Sequence, residues 1–233
     1  MLISLLIAGC DQSQPTTTNL PAPTFGESTI TGHVRFLGKP RPFKLIDNKT
    51  CHASATPIPD ETLVVSGDQS LMGAIVYLKD APSSDGSKQP TIELDQKNCR
   101  YFPHVVALQV GQNLRIKNSD PVYHNSHYVS QRNSSLNIGL ANAGDFKDLT
   151  FKASEFFNIR CDVHPWMGAD IGIISNPFFS VTDENGNYSI ERVIPGRYTI
   201  VAHHALLGEI EQLVEIGEAG AVLNLDFVPM TTD

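Results

Sequence analysis

The stretch CDVHPWM, Cys161 to Met167, places a thiol, an imidazole and a thioether within seven residues. A strand that ends at Cys161 and turns sharply through Pro165 would let Cys161, His164 and Met167 converge on one point. Zinc favours a closed tetrahedron of Cys, His or carboxylate ligands and does not select methionine. One further imidazole would complete a set of two His, one Cys and a weak axial Met. That is the donor set of a type 1 (blue) copper electron-transfer site. The second imidazole has to come from another strand. NSDPVYHNSHY, Asn118 to Tyr128, follows an apolar strand candidate and offers His124.

The elements that must position these residues read as β-structure. Short runs rich in Val, Ile, Phe and Tyr alternate with polar residues and stop at Gly, Pro, Asn or Asp. TITGHVRF, GAIVYLKD, VVALQVG, NLRIKN, DLTFKA, FFNIRC, ADIGIIS, NYSIERV, GRYTIVAHH and QLVEIG are the strand candidates. TDENGNY is a turn, because Asn and Gly tolerate positive φ. Helical periodicity is almost absent, so the pattern predicts an all-β protein built as sandwiches. Residues 131 to 148 are polar and rich in Asn and Gly, and predict a long loop with at most one helical turn.

The chain has 233 residues and a formal net charge of −8. That length suits one large domain or two small ones. No basic patch or Lys/Arg run marks a nucleic-acid partner. Walker, nucleophile-elbow and dinucleotide motifs are missing, so no enzymatic activity and no small-molecule substrate are expected. The opening MLISLLIAGC is too short to span a bilayer and reads as a signal segment. It resembles the end of a bacterial lipoprotein signal, which implies removal of residues 1–9 and a lipid on Cys10. Residues 10–27 have little to bury and read as a tether. The resemblance implies the periplasmic face of a membrane, with Asp11 slightly favouring the inner one.

Of four cysteines, Cys51 and Cys99 remain once Cys10 and Cys161 are set aside. Outside the cytoplasm such a pair predicts a disulfide. The alternative is a second metal held by Cys51, His52 and His104. His127 reads as an outer-sphere or surface residue and His104 as a core or rim histidine. His203 and His204 are neighbours on one strand, point to opposite faces, and read as structural.

YHNSHY and CDVHPWM together resemble the cupredoxins, and the Cys-x2-His-x2-Met spacing resembles amicyanin rather than the longer plastocyanin loop. The run TIELDQKNCRYFPHVVALQVGQNLRIKNSDPVYHNSHY resembles the approach to the first His in that family. The resemblance implies His124, Cys161, His164 and Met167 as ligands of one copper. It implies that Asn125 ties the two ligand loops together. Asp162 departs from the family's usual Ser or Thr, and a carboxylate there would favour Cu(II). A second resemblance, over residues 176–216, is to carboxypeptidase-regulatory or transthyretin-like sandwiches, whose first half is supplied by ITGHVRFLGKP and MGAIVYLKD. The simplest division is a discontinuous sandwich, 28–88 and 177–229, with a cupredoxin, 89–176, inserted. The runner-up is three consecutive units.

The resemblance implies a membrane-tethered electron carrier with a redox partner protein such as a c-type cytochrome or a dehydrogenase. It further implies that His164 reaches the surface within an apolar docking face of Pro165, Trp166 and Tyr123, joined by Pro121 and Val122. The bland alternative packs Trp166 into the core. Copper storage or delivery without redox turnover is the competing function, and a structural envelope module is another. Oxidases and nitrite reductases need further histidine clusters that the sequence does not display.

Overall fold

The computed structural model describes residues 20–42, 44–52 and 54–229. The signal segment and Cys10 lie outside them. The described residues form strands and connections with no helix, and the architecture is all-β, arranged as sandwiches.

One sandwich is assembled from both ends of the chain. Strand Ser28–Phe36 pairs antiparallel with Asn187–Val193 and parallel with Ala221–Val222 and Leu225–Phe227. The facing sheet runs Phe179–Val181, Ile75–Leu78, Gly196–His204, Gly208–Ile216. Alternation along Ser28–Phe36 sends Ile30 and Val34 inward, where they meet Val76, Leu78, Ile190 and Ile200. Between Asp183 and Asn187 the expected turn forms, with Gly186 at φ 73°. Its Asp183 carboxylate accepts from the Asn185 and Asn187 N–H groups.

The second sandwich comes from the middle of the chain. One sheet runs Leu136–Leu140, His124–Tyr128, Glu155–Arg160, Gly168–Ile174, Val105–Gln109. The other runs Phe146–Thr150, Asn113–Asn118, Ile92–Gln96, Tyr101–Phe102. Leu94, Leu108, Leu114, Ile116, Ile159 and Ile171 fill the space between them, with Cys161 and Met167 in the same core. A small apolar cluster of Ile75, Ala107 and Ile174, flanked by Tyr77 and Phe156, joins the two sandwiches.

Three sequence expectations need correction. Residues 131–148 are not one long loop: Leu136–Leu140 pairs along His124–Tyr128, and Phe146–Thr150 starts earlier than the pattern indicates. Both are edge strands: Phe146–Thr150 lacks apolar alternation, while Leu136, Ile138 and Leu140 do alternate inward but lie within a run of Asn, Ser and Gly that reads as loop. Residues 20–27 are not a free tether either. Phe25 packs edge-on against Phe178, and the Arg192 guanidinium lies over its ring, 3.6 Å from the centroid. Residues around Cys51, placed by pattern with the outer sandwich, pack instead on the inner one, to which a Cys51–Cys99 disulfide binds them.

His203 and His204 take opposite faces. His203 stacks on Phe156 at a 3.8 Å centroid distance and pairs with Glu209 at 3.1 Å. His204 is buried and its Nδ1 accepts from the Leu206 N–H at 3.2 Å.

The disulfide closes a separation of 48 residues, which corresponds to about 4 kcal/mol in the chain-entropy account. Replacing Cys51 and Cys99 together by Ala should lower the unfolding free energy by up to that amount, read from urea transitions. Burial holds the His204 imidazole down at about 4. The unfolded chain takes up that proton near 6.5, so between these values the unfolded state binds more protons and acid destabilises the fold. The loss should reach roughly 3 kcal/mol by the lower end. His204→Gln should flatten the dependence of melting temperature on pH across that window.

Candidate metal centre

His124 opens strand His124–Tyr128 and pairs with Leu140, which fixes it at the end of the inner sheet. The turn before it is built around Asp120, whose N–H donates to Asn118 Oδ1 at 2.9 Å. Asp120 is buried, and its carboxylate accepts from the N–H groups of Asn98 and Cys99, both at 2.7 Å. Asn98 and Cys99 stand at φ 54° and 57°, the left-handed conformation that aims consecutive N–H groups at one anion. Asp120 Oδ2 also lies 3.0 Å from His124 Nε2. The carboxylate therefore holds the imidazole with its Nδ1 facing the His164 ring.

Cys161 directly follows strand Glu155–Arg160, and Met167 directly precedes Gly168–Ile174, its antiparallel partner. The ligand loop is thus the end of a hairpin. It is closed by Cys161 N–H to Met167 O at 3.1 Å and Met167 N–H to His164 O at 2.9 Å. His164 Nδ1 lies 3.0 Å from His124 Nδ1 and 3.7 Å from Cys161 Sγ. All of these side chains are buried, as is Met167. The structure brings His124, Cys161 and His164 to one point and sets Met167 in the same core as Cys161.

The electrostatics favour an ionised Cys161 and a neutral His164, but a protonated His124. Burial opposes ionisation of the Cys161 thiol, but hydrogen bonding from His124 and from backbone N–H groups of Asn125, His164 and Val163 outweighs it and holds the thiol below its usual range. Burial and the neighbouring His124 charge push the His164 imidazole down, towards the neutral form. Burial also works against a charged His124, yet Asp120 and Cys161 raise it overall. With Nε2–H given to Asp120, His124 turns Nδ1 towards His164 Nδ1, and that nitrogen would offer its lone pair to a cation once its proton is lost. Two facing imidazole nitrogens and a thiol form a set that a soft cation would satisfy.

Asn125 and Asp162 clamp the two loops. Asn125 Oδ1 accepts the Asp162 N–H at 2.7 Å, and Asn125 Nδ2 donates to Asp162 Oδ2 at 2.9 Å. His127 Nδ1 lies 2.9 Å from Asp162 Oδ2, and Asn137 and Arg160 donate to the same carboxylate. His127, then Asn125, pull the Asp162 carboxyl down to about 2. The carboxylate after Cys161 is therefore satisfied from outside the site. Beneath the clamp, the buried Gln96 amide and Tyr101 hydroxyl both donate to the Asn125 carbonyl.

His164 does not reach the surface as expected: it is 7% exposed. The disulfide covers this end of the sandwich, with a Cys51 sulfur and the ring nitrogens of His124 and His164 within 4.8 Å of one another. Trp166 is half-buried, donates its indole N–H to Cys99 O at 2.9 Å, and lies 5.4 Å from the His164 ring. Pro165, Pro121 and Tyr123 are exposed and Val122 is half-buried. His104 lies apart from these residues, 3.9 Å from Asp170. Sequence reasoning gave Asp120 no role. The available signal was a carboxylate four residues ahead of His124, in a turn fixed by Pro121.

Neither a protein-family model nor a curated protein sequence matches the chain. Among solved structures, a methionine-to-alanine mutant of amicyanin in its Cu(I) form is 16% identical, with 42% of this chain and 97% of that chain covered and a TM-score of 0.33. A purple cupredoxin from Nitrosopumilus maritimus is 21% identical over 36% of this chain and 99% of that one, with a TM-score of 0.31. A copper-containing nitrite reductase from Thermus scotoductus is 15% identical over 60% of this chain but 28% of that one, with a TM-score of 0.34. At these identities and TM-scores, metal and activity have to be argued from the residues themselves.

Proposed function

We propose that this chain is an electron carrier that holds one type 1 copper through His124, Cys161, His164 and Met167. The observation that carries the reading is the convergence of two buried imidazole nitrogens and a buried thiol, with His124 Nε2 already committed to Asp120. Bound copper would supply a reversible one-electron couple. The chain's own part is to fix its donors beforehand. Asp120 orients His124, the Asn125–Asp162 clamp sets the spacing of the loops, and the hairpin closure holds Cys161 against Met167.

A location outside the cytoplasm is supported by the Cys51–Cys99 disulfide, and the anchor would be lipid on Cys10. The proposal includes an inserted domain, 89–176, within an outer sandwich drawn from 28–88 and 177–229, with the residues around Cys51 packed on the inserted domain. Its partner would be a redox protein such as a c-type cytochrome or a dehydrogenase, meeting the exposed Pro165 and Tyr123. The cover over His164 favours a second reading, in which copper is stored or delivered without redox turnover. A reversible Cu(II)/Cu(I) wave in voltammetry separates the two.

The copper-loaded, oxidised chain should contain one copper and be blue through thiolate-to-Cu(II) charge transfer, and Cys161→Ser should abolish the colour. A colourless Cu(II) adduct, or preference for zinc in competition, would refute the assignment. Asp120→Ala should weaken copper binding by about 10- to 100-fold, measured against a chelator of known affinity.

A further inference from the structure

Next to the proposed copper centre lies a second group of donors. The sulfurs of Cys51 and Cys99, a ring nitrogen of His52 and a carboxylate oxygen of Asp120 all lie within 4.8 Å of one another. Cys99 and Asp120 are buried. His52 Nδ1 is engaged with Ser54 Oγ at 3.0 Å. Its Nε2 is buried without a hydrogen-bond partner, 3.8 Å from Asp120 Oδ1. A buried imidazole nitrogen left unpaired is costly and calls for an explanation. Two sulfurs, one imidazole and one carboxylate are a set that zinc takes in a tetrahedron. The sulfurs are joined to each other, which withholds both as thiolate ligands.

We infer that reduction of the Cys51–Cys99 bond converts this cluster into a zinc site, separate from the copper centre. The reductant is a dithiol protein. It gives two electrons and two protons, the S–S bond breaks to two thiols, and the dithiol leaves as its own disulfide. Both thiols then lose their protons as the cation binds, with His52 Nε2 and Asp120 Oδ1 completing the set. The two sites adjoin at Asp120, whose Oδ2 faces His124, and at Cys51, whose sulfur lies within 4.8 Å of the His124 and His164 ring nitrogens. The zinc site uses none of Cys161, His164 or Met167, so it does not rest on the copper reading.

The test uses cadmium as a probe whose thiolate charge-transfer band reports sulfur ligation. In the full chain carrying Cys10→Ser and Cys161→Ser, only Cys51 and Cys99 remain as sulfur donors among the cysteines. After a phosphine reductant, one Cd(II) per chain should bind with a band of two thiolates, and zinc should displace it. Without reductant the band should be absent. His52→Ala should weaken binding by at least about tenfold. Three results would overturn the inference: no band on reduction, a band that His52→Ala leaves unchanged, or loss of the far-UV β signal on reduction. The second would mean a loose dithiol, the third that the folded chain has no such site. A colourless copper adduct of the unmodified chain would sink the copper reading and leave the cadmium result standing.

Discussion

The buried carboxylate of Asp120 holds together parts of the chain that are far apart in sequence. It accepts the N–H groups of Asn98 and Cys99, meets His124 Nε2, and faces His52. Burial alone would drive such a carboxyl towards its neutral form. The hydrogen bonds from His124 and from the Cys99 and Asn98 N–H groups reverse this, and it lies below the ordinary carboxylate range. A charged Asp120 then holds the Nε2 side of His124 and leaves Nδ1 turned towards His164 and Cys161. The turn at Asn98–Cys99 follows from the same anion, and that turn positions the sulfur to which Cys51 is joined. Removing the carboxylate would therefore loosen a donor, a turn and the disulfide's footing together.

The site separates its polar and soft components. Cys161 and Met167 belong to the apolar core, which excludes water from their sulfurs. Asp162 points the other way, into a hydrogen-bonded cluster with Asn125, His127, Asn137 and Arg160. A charge beside a buried thiol is tolerated because its lone pairs are filled at the surface rather than at the thiol. The alternation of Ile159 inward and Arg160 outward continues past the strand end, with Cys161 buried and Asp162 exposed, and does this without further machinery.

What was legible in the sequence was local. Cys161, His164 and Met167 lie within one hairpin end, so spacing alone brings them close. His124 was legible because it opens a strand beside a recognisable Pro turn. The cover over His164 was not, because it depends on Cys51 crossing from a segment whose pattern belongs to the outer sandwich. Composition names the cysteine pair but does not say which face the bond will lie on. Trp166, half-buried, was only partly legible for a related reason. A proline and an aromatic on a loop tip suggest exposure, but the indole N–H finds Cys99 O, an acceptor offered by a distant turn. Asp120 was visible as a residue and invisible as a hub, since its donors come from a turn with positive φ at two non-glycine residues that no local propensity anticipates.

The chain path explains how two sandwiches coexist in one polypeptide. It leaves the outer sandwich after strand Ile75–Leu78 and returns at strand Phe179–Val181, and these two strands are hydrogen-bonded neighbours, with Phe179 opposite Tyr77. The Leu78 N–H donates to Phe178 O at 3.0 Å, so departure and return are side by side. Closing a long excursion between adjacent ends costs only a slowly growing entropy. The intervening residues bury their own core, which offsets that cost without help from the outer sheets. On the inner side the last strand, Gly168–Ile174, runs parallel to Val105–Gln109, so it needs no tight turn and is free to lead directly back to Phe179. The loop from Cys161 to Met167 lies at the other end of that same strand. The metal loop is thus placed by a strand whose far end is anchored in the junction cluster through Ile174, and a disturbance of the outer sandwich would reach the donors along that strand, along Glu155–Arg160 through Phe156, or through the disulfide at Cys51.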